Sequence, residues 1–374
     1  MSRKRVDLLL QNVTIEAVAA EGKALAHVDG MVVFVDFAVP GDVVDIQVFK
    51  KKKNYMEGWI KRIVKPSEHR LEPFCPHFGV CGGCRWQPLP YSMQLEAKRQ
   101  QVEDQLIRIG HLDVPEIRPT LPSLSTEYYR NKLEFSASAS RWILSGEDPD
   151  SLSPEERVGL GFHVSKFFDK VLDIKDCHLQ KEPSNAIRLF VKQYCLEHGY
   201  EFYNIRENRG FFRNMFVRTN AKGDVMLILC FAKPRIDDIK ALLDALSARF
   251  PEISSLWYVV NEKLNDSIQD LSPVLYKGED AIYESMEGLS FKIGPKSFYQ
   301  TNSEQALRLY GVAREFAALV DREIKPLPVA ENPYTGEASV DVTIKDKDKC
   351  YRYSAVRVEN ITEHVSSNVM QVRL

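Results

Sequence analysis

The chain of 374 residues has no apolar run close to the roughly 20 residues that a membrane helix needs. Its start, Met1–Leu10, is basic but carries only a short leucine run, well short of a secretory leader. The expected location is therefore the cytoplasm, with no membrane partner. Internal repeats and low-complexity tracts are also missing, which excludes a solenoid. In a reducing compartment the seven cysteines are not a disulfide framework, so any that cluster point to a metal or to catalysis. No strong charge imbalance singles out a partner either, because the net charge is only −2. What remains is the composition of a globular protein, 44% hydrophobic and 27% charged, long enough for two or three domains.

Residues 8–64 contain four apolar, partly alternating runs, at 13–19, 31–39, 43–49 and 58–64, broken by Gly22, Gly30 and the Pro40-Gly41 turn. That pattern predicts a small β-barrel as a first domain over 1–66. Lys50, Lys51, Lys52 and Lys53 fall between two of these strands, followed by Asn54 and Tyr55. Such a loop suits a phosphate backbone, and a solvated hairpin tip is the alternative. An amphipathic stretch from Tyr91 to Ile109 predicts a helix closed by Gly110. Alternating strand-like and helical stretches from Tyr128 to about Ser290 predict an α+β central domain, 67–290. It includes a polar surface loop near Ser145–Glu156 and a helix over Lys181–Glu197. Gly294–Asn302 reads as a turn rich in aromatics and amides, followed by a helix over Ser303–Leu319 with Ser303 as its N-cap.

Cys75, Cys81 and Cys84 lie within ten residues, with Gly79, Gly82 and Gly83 among them to allow a tight backbone. Three thiols so placed can converge on one metal centre. Cys177, after a short apolar run, is the best candidate for a fourth ligand. The five-residue gap between Cys75 and Cys81 is wider than zinc pairs usually show, which favours an iron–sulfur cluster. A four-cysteine zinc site and plain buried thiols are the alternatives. His77 and His178 adjoin these cysteines as bystanders, and Cys195 and Cys230 sit in apolar contexts expected to be core.

Taken together, the Cys75-x5-Cys81-x2-Cys84 set with Cys177 resembles the cluster of the bacterial RNA (uracil-5-)-methyltransferases. Residues 8–64 resemble that family's TRAM domain, an OB-like barrel that binds RNA. Tyr129-Arg130-Asn131-Lys132-Leu133-Glu134-Phe135 is similar to its central-domain motif. Gly294-Pro295-Lys296-Ser297-Phe298-Tyr299-Gln300-Thr301-Asn302 is similar to the entry into its methyltransferase domain. The resemblance spans about 8–317 and implies the following. The cluster is a [4Fe-4S] centre held by Cys75, Cys81, Cys84 and Cys177. Gln300 meets S-adenosylmethionine. RNA is the partner, 23S ribosomal RNA ahead of transfer RNA, met by Lys50–Lys53, Arg130 and Lys132 and by stacking at Phe298 or Tyr299. A monomer is expected.

The match stops near residue 317, where the family continues into a glycine-rich donor turn, a cysteine that adds to uracil C6 and a glutamate base. Residues 318–374 hold a single glycine, Gly336, and Cys350 stands in a strand-like run unlike the nucleophile motif. The expected architecture is thus a TRAM barrel, an α+β domain, an entry segment at 291–319 and a strand-like tail at 320–374 in place of a full α/β methyltransferase domain. The expected function is an RNA (uracil-5-)-methyltransferase impaired in catalysis with its catalytic residues unidentified; the alternative is a noncatalytic RNA-binding iron–sulfur module.

Overall fold

A computed structural model describes residues 8–114, 116–165 and 167–319, and the tail expected over 320–374 lies outside them. The chain divides into two compact units, one of 8–123 with 163–167 and one of 124–162 with 168–319 in their described parts.

In the first unit the expected strands form β1 (Leu8–Thr14), β2 (Ala17–Val18), β3 (Lys23–Val28), β4 (Met31–Asp36), β5 (Val43–Lys51) and β6 (Tyr55–Lys65). Their order is β1-β5-β6-β4-β3-β2, with β4 and β6 parallel. Alternation sends Ala24, Ala26, Val33, Val35, Ile46, Val48 and Met56 inward. Val13 and Ile15, from the opposite edge of the sheet, join the same core, so the sheet curls on itself. Asp42 anchors the Pro40-Gly41 turn: fully buried, it accepts from Arg70 Nη1 at 2.6 Å and from the amides of Val39 and Ser67 at 2.7 and 2.9 Å. Three donors satisfy that carboxylate, as burial of a charge requires. The cysteine-bearing loop follows, then α1 (Tyr91–Glu103). Its hydrogen bonding widens into a π-type turn over Asp104–Ile109, and the Gly110 amide donates to Gln105 O at 2.8 Å.

The second unit is built on β7 (Lys132–Ser138), α2 (Pro154–Arg157), β8 (Gly159–His163), β9 (Val171–Asp173), α3 (Ser184–Glu197), β10 (Phe212–Thr219), β11 (Val225–Phe231), α4 (Ile236–Arg249), β12 (Ile253–Val260), β13 (Val274–Gly278), β14 (Ile282–Met286), β15 (Leu289–Ile293) and α5 (Ser303–Leu319). A seven-stranded sheet runs β13-β12-β11-β10-β7-β8-β9. β11 and β12 are parallel, which requires a crossover, and α4 supplies it. α3 buries Ile187, Val191 and Cys195 along one stripe, and α4 buries Ile239, Leu242, Leu243 and Leu246. Phe216, Met226, Ile228 and Val259 pack with Ile282, Met286 and Ile293 of the β14–β15 hairpin and with Tyr299 and Ala306, so residues 291–306 share this core. Cys195 and Cys230 are core residues, and burial raises both thiol pKa values. The polar loop near 145–156 folds back on itself: Arg141 grips Glu147 with two bonds of 2.8 Å, and Ser153 and Glu156 cap α2 reciprocally.

Candidate functional site

Within the second unit the two motif segments meet. Asn131, at the entry to β7, donates its amide to Thr301 O at 2.8 Å. Its side-chain Nδ2 donates to Gln300 O at 2.8 Å and to Ser303 Oγ at 2.9 Å. Ser303 donates onward to the buried Glu284 at 3.0 Å. Arg218 stands opposite Lys132 across β7 and β10, and its Nη2 donates to Ser297 O at 2.5 Å and to Pro295 O at 3.5 Å. Burial of this guanidinium lowers its pKa to about 10. Gly294 N donates to Ser297 Oγ at 2.9 Å and tightens the turn. The segment 294–303 is therefore held by Asn131, just before β7, at Gln300, Thr301 and Ser303, and by Arg218 of β10 at Pro295 and Ser297.

The cap of α5 differs from expectation. Asn302 Oδ1 accepts the Gln305 amide at 3.0 Å, so Asn302 fills the N-cap, while the Ser303 hydroxyl is engaged by Asn131 and Glu284. Of the two adjacent aromatics, Tyr299 is in the core at 5% exposure and Phe298 is 46% exposed, which leaves Phe298 as the ring open to a stacking partner. The Tyr299 hydroxyl lies near Glu284, Tyr310 and Ser303, and burial raises its pKa. Gln300 is half-buried. Lys132 is half-buried with its ammonium 5.4 Å from the Phe216 ring centroid; burial lowers its pKa, and Arg218 and Arg130 add to that. Arg130 Nε donates to Lys132 O at 3.2 Å.

In the first unit, Lys50–Lys53 occupy the end of β5 and the turn into β6, where a hairpin tip was the alternative reading. The run is not uniform. Lys50 bonds to Glu57, lies 5.2 Å from the Tyr55 ring centroid, and has a raised pKa, chiefly through that carboxylate. Glu57 also pairs with Lys23 at 3.7 Å. Lys51, Lys52 and Lys53 are exposed.

Cys75, Cys81 and Cys84 share the loop that precedes α1, all half-buried. Cys81 pairs with Val164 in an isolated antiparallel bridge, and its amide donates to His77 O at 2.9 Å. Gly79 has a left-handed φ of +86°, which favours glycine, and a Cβ at Gly82 would press on His163 O at 3.0 Å. Burial raises the Cys81 thiol pKa, and Cys84 and Cys75 add to that. Cys177 belongs to the second unit, where Asn185 brackets its backbone, accepting from its amide at 2.9 Å and donating to its carbonyl at 3.3 Å. Among the described residues no group of three or more His, Cys, Asp or Glu side chains is arranged to hold a single metal ion. The donor chemistry of the loop, three soft thiols, fits an iron–sulfur centre in kind.

Sequence reading gave no role to three residues that organise these sites: Asn131, Arg218 and Glu57. Asn131 stood inside the quoted motif and could have been suspected. Arg218, in an almost wholly buried strand, carried no local signal.

Residues 10–61 match the TRAM domain family. An RNA methyltransferase of Porphyromonas gingivalis, itself described as uncharacterised, is 50% identical over 87% of this chain and 70% of its own length. A protein of the same description from Bacteroides thetaiotaomicron is 48% identical over 86% of this chain and 70% of its own. Among solved structures, the tRNA (uracil-54, C5)-methyltransferase of Pyrococcus abyssi, in complex with S-adenosyl-L-homocysteine, shares the fold. Its TM-score is 0.55 at 24% identity, over 82% of this chain and 65% of that one. This chain thus spans just under two thirds of the archaeal enzyme's length. With a TRAM domain at its N-terminus and a relative identical at half the aligned positions, the chain belongs to the RNA methyltransferase family.

Proposed function

We propose that this chain serves methyl transfer from S-adenosylmethionine to C5 of uridine in RNA, with 23S ribosomal RNA ahead of transfer RNA as substrate. The observation that carries this reading is the fixation of 294–303 by Asn131 and Arg218, which holds Gln300 between an exposed Phe298 and the start of α5. A rigid segment of this kind suits placement of a donor and a base, because misplacement by about 1 Å can cost a hundredfold in rate. The shared fold of a uracil C5 methyltransferase that binds S-adenosyl-L-homocysteine supports the choice of donor and base. Gln300 would contact the donor, which supplies the methyl group when bound. Arg130 and Lys132 would meet RNA phosphates near Phe298, and Lys50–Lys53 would do so from the barrel.

The same reading assigns Cys75, Cys81, Cys84 and Cys177 to an iron–sulfur cluster, on the strength of their thiol chemistry and spacing. Its role would be to brace the protein, since uracil methylation needs no electron transfer.

The test is methyl transfer from labelled S-adenosylmethionine to transcribed 23S ribosomal fragments and to transfer RNA, with 5-methyluridine identified by mass spectrometry. Incorporation greatest in ribosomal RNA is expected. Incorporation only into transfer RNA overturns the substrate choice. RNA binding without any incorporation overturns the activity and leaves a noncatalytic RNA-binding module.

A further inference from the structure

On the outer face of the barrel Phe49 and Trp59 are stacked, with ring centroids 5.4 Å apart and planes 12° from parallel. Neither ring belongs to the barrel core, which is filled by the inward residues of the same strands, Ile46, Val48 and Met56. Trp59 is left 46% exposed. A single exposed apolar side chain is ordinary. Here the surroundings are not. The carboxylates that share this face are already taken: Glu57 by Lys50 and Lys23, Asp36 by Arg85 at 3.2 Å, and Asp45 by Arg62 at 2.8 Å. Lys51, Lys52 and Lys53 at one end of the ribbon and Lys61 at the other are exposed. Lys61 lies two residues beyond Trp59, in the bulge of β6 between Ile60, which pairs with Ile46, and Arg62, which pairs with Asp45.

An aromatic pair flanked by lysines at both ends offers one flat face together with positive charge on either side of it. Single-stranded nucleic acid presents the matching chemistry, a base with a free π-face between two phosphates. Paired bases are stacked on one another and offer no such face. A second copy of this chain fits poorly, because a two-fold contact through Trp59 would set Lys51–Lys53 of one copy against either the same run or the Lys61 end of the other, positive against positive in both cases.

We propose that Phe49 and Trp59 form a stacking platform for an unpaired base of RNA, with Lys51–Lys53 and Lys61 on the flanking phosphates. This rests on the RNA reading above and narrows it to a single-stranded segment on the barrel, met by residues other than Gln300 and Phe298. Trp59 is the working face and Phe49 its support.

The experiment uses the full chain and a fluorescein-labelled, uridine-rich twelve-nucleotide RNA, alone or annealed to its complement, with binding followed by anisotropy at two KCl concentrations. Trp59→Ala should weaken single-strand binding about tenfold or more, the loss typical of one base–aromatic stack. Its salt dependence should not change, because no charge is removed. Trp59→Phe should stay within about threefold of wild type, since a phenyl ring still offers a face. Duplex binding should be the same in all three proteins. Single-strand affinity of Trp59→Ala within a factor of two of wild type overturns the proposal. So does an equal loss on duplex, or a wild-type dimer that light scattering shows to dissolve in Trp59→Ala. No methyl donor is present, so failure of the proposed methylation does not affect the result, whereas absence of RNA binding by the wild-type chain overturns both readings.

Discussion

The Asn131 side-chain amide donates to the backbone carbonyl of Gln300 at 2.8 Å, joining positions 169 apart in the chain. The same Nδ2 reaches Ser303 Oγ, so one amide group fixes both sides of the turn into α5. Asn131→Ala removes both bonds and is expected to lower stability by about 1–3 kcal/mol. Asn131→Asp, which loses the donor, should do much the same. Urea unfolding with an unchanged slope and a lower midpoint checks it, and an unshifted midpoint would mean that the turn is held by other contacts.

The lysine run should divide in function. Replacing Lys51, Lys52 and Lys53 together with glutamine is expected to reduce the slope of log affinity against log salt by about 2 for single-stranded RNA, near 0.7 per lost phosphate contact. Lys50→Gln alone should change the slope less, because Glu57 and Tyr55 already occupy that ammonium. Salt titrations of RNA binding measure both, and equal effects per lysine would refute the division.

Acid should loosen the loop around Glu147. Arg141 and, after it, the Leu144 amide hold that carboxyl at a pKa of about 2, against 4.5 ordinarily. A carboxylate with a depressed folded pKa stabilises fully above its unfolded value, and the contribution fades as pH falls through 4.5 towards 2. Glu147→Gln should therefore be less stable than wild type at neutral pH and nearly equal to it near the acid end of that window. Parallel urea midpoints across the window test this, and curves that keep a constant gap would contradict it.

Anaerobically purified protein should carry iron and sulfide with visible absorbance, and Cys75→Ala, Cys81→Ala, Cys84→Ala or Cys177→Ala should each diminish all three. Cys195→Ala, in the packed stripe of α3, should keep them. Zinc found by elemental analysis in place of iron would decide for the four-cysteine zinc alternative.

Local pattern carried much of the architecture. Inward alternation at Val33, Val35, Ile46 and Val48 marked the barrel strands, and the polar–apolar rhythm ending at Gly110 marked the first long helix. What stayed hidden depends on partners distant in sequence. The order of the seven-stranded sheet, with β7 inserted between β8 and β10, leaves no trace in any one strand. Ser303 looked like the cap of α5 because a serine before a glutamate is a strong local signal. The competing demand of Asn131 and Glu284 on its hydroxyl moved that role to Asn302. Tyr299 and Phe298 were interchangeable as letters, and only the packing of β14 and β15 separates the buried ring from the open one. Glu57 likewise gains meaning only once β5 and β6 pair and bring Lys50 opposite it.

The Asn131–Gln300 bond also has a consequence in time. Ribosomes release the chain from its N-terminus, so Asn131 emerges long before its acceptor exists. β10, β11, α4 and β12 are consecutive and can assemble over short loops. The closure that brings 294–303 onto β7 spans a far longer loop and carries a larger entropic cost. The stretch that holds Gln300 and Phe298 is thus set to dock late, on a platform already built, and a nascent chain halted before residue 300 would display an empty berth at Asn131.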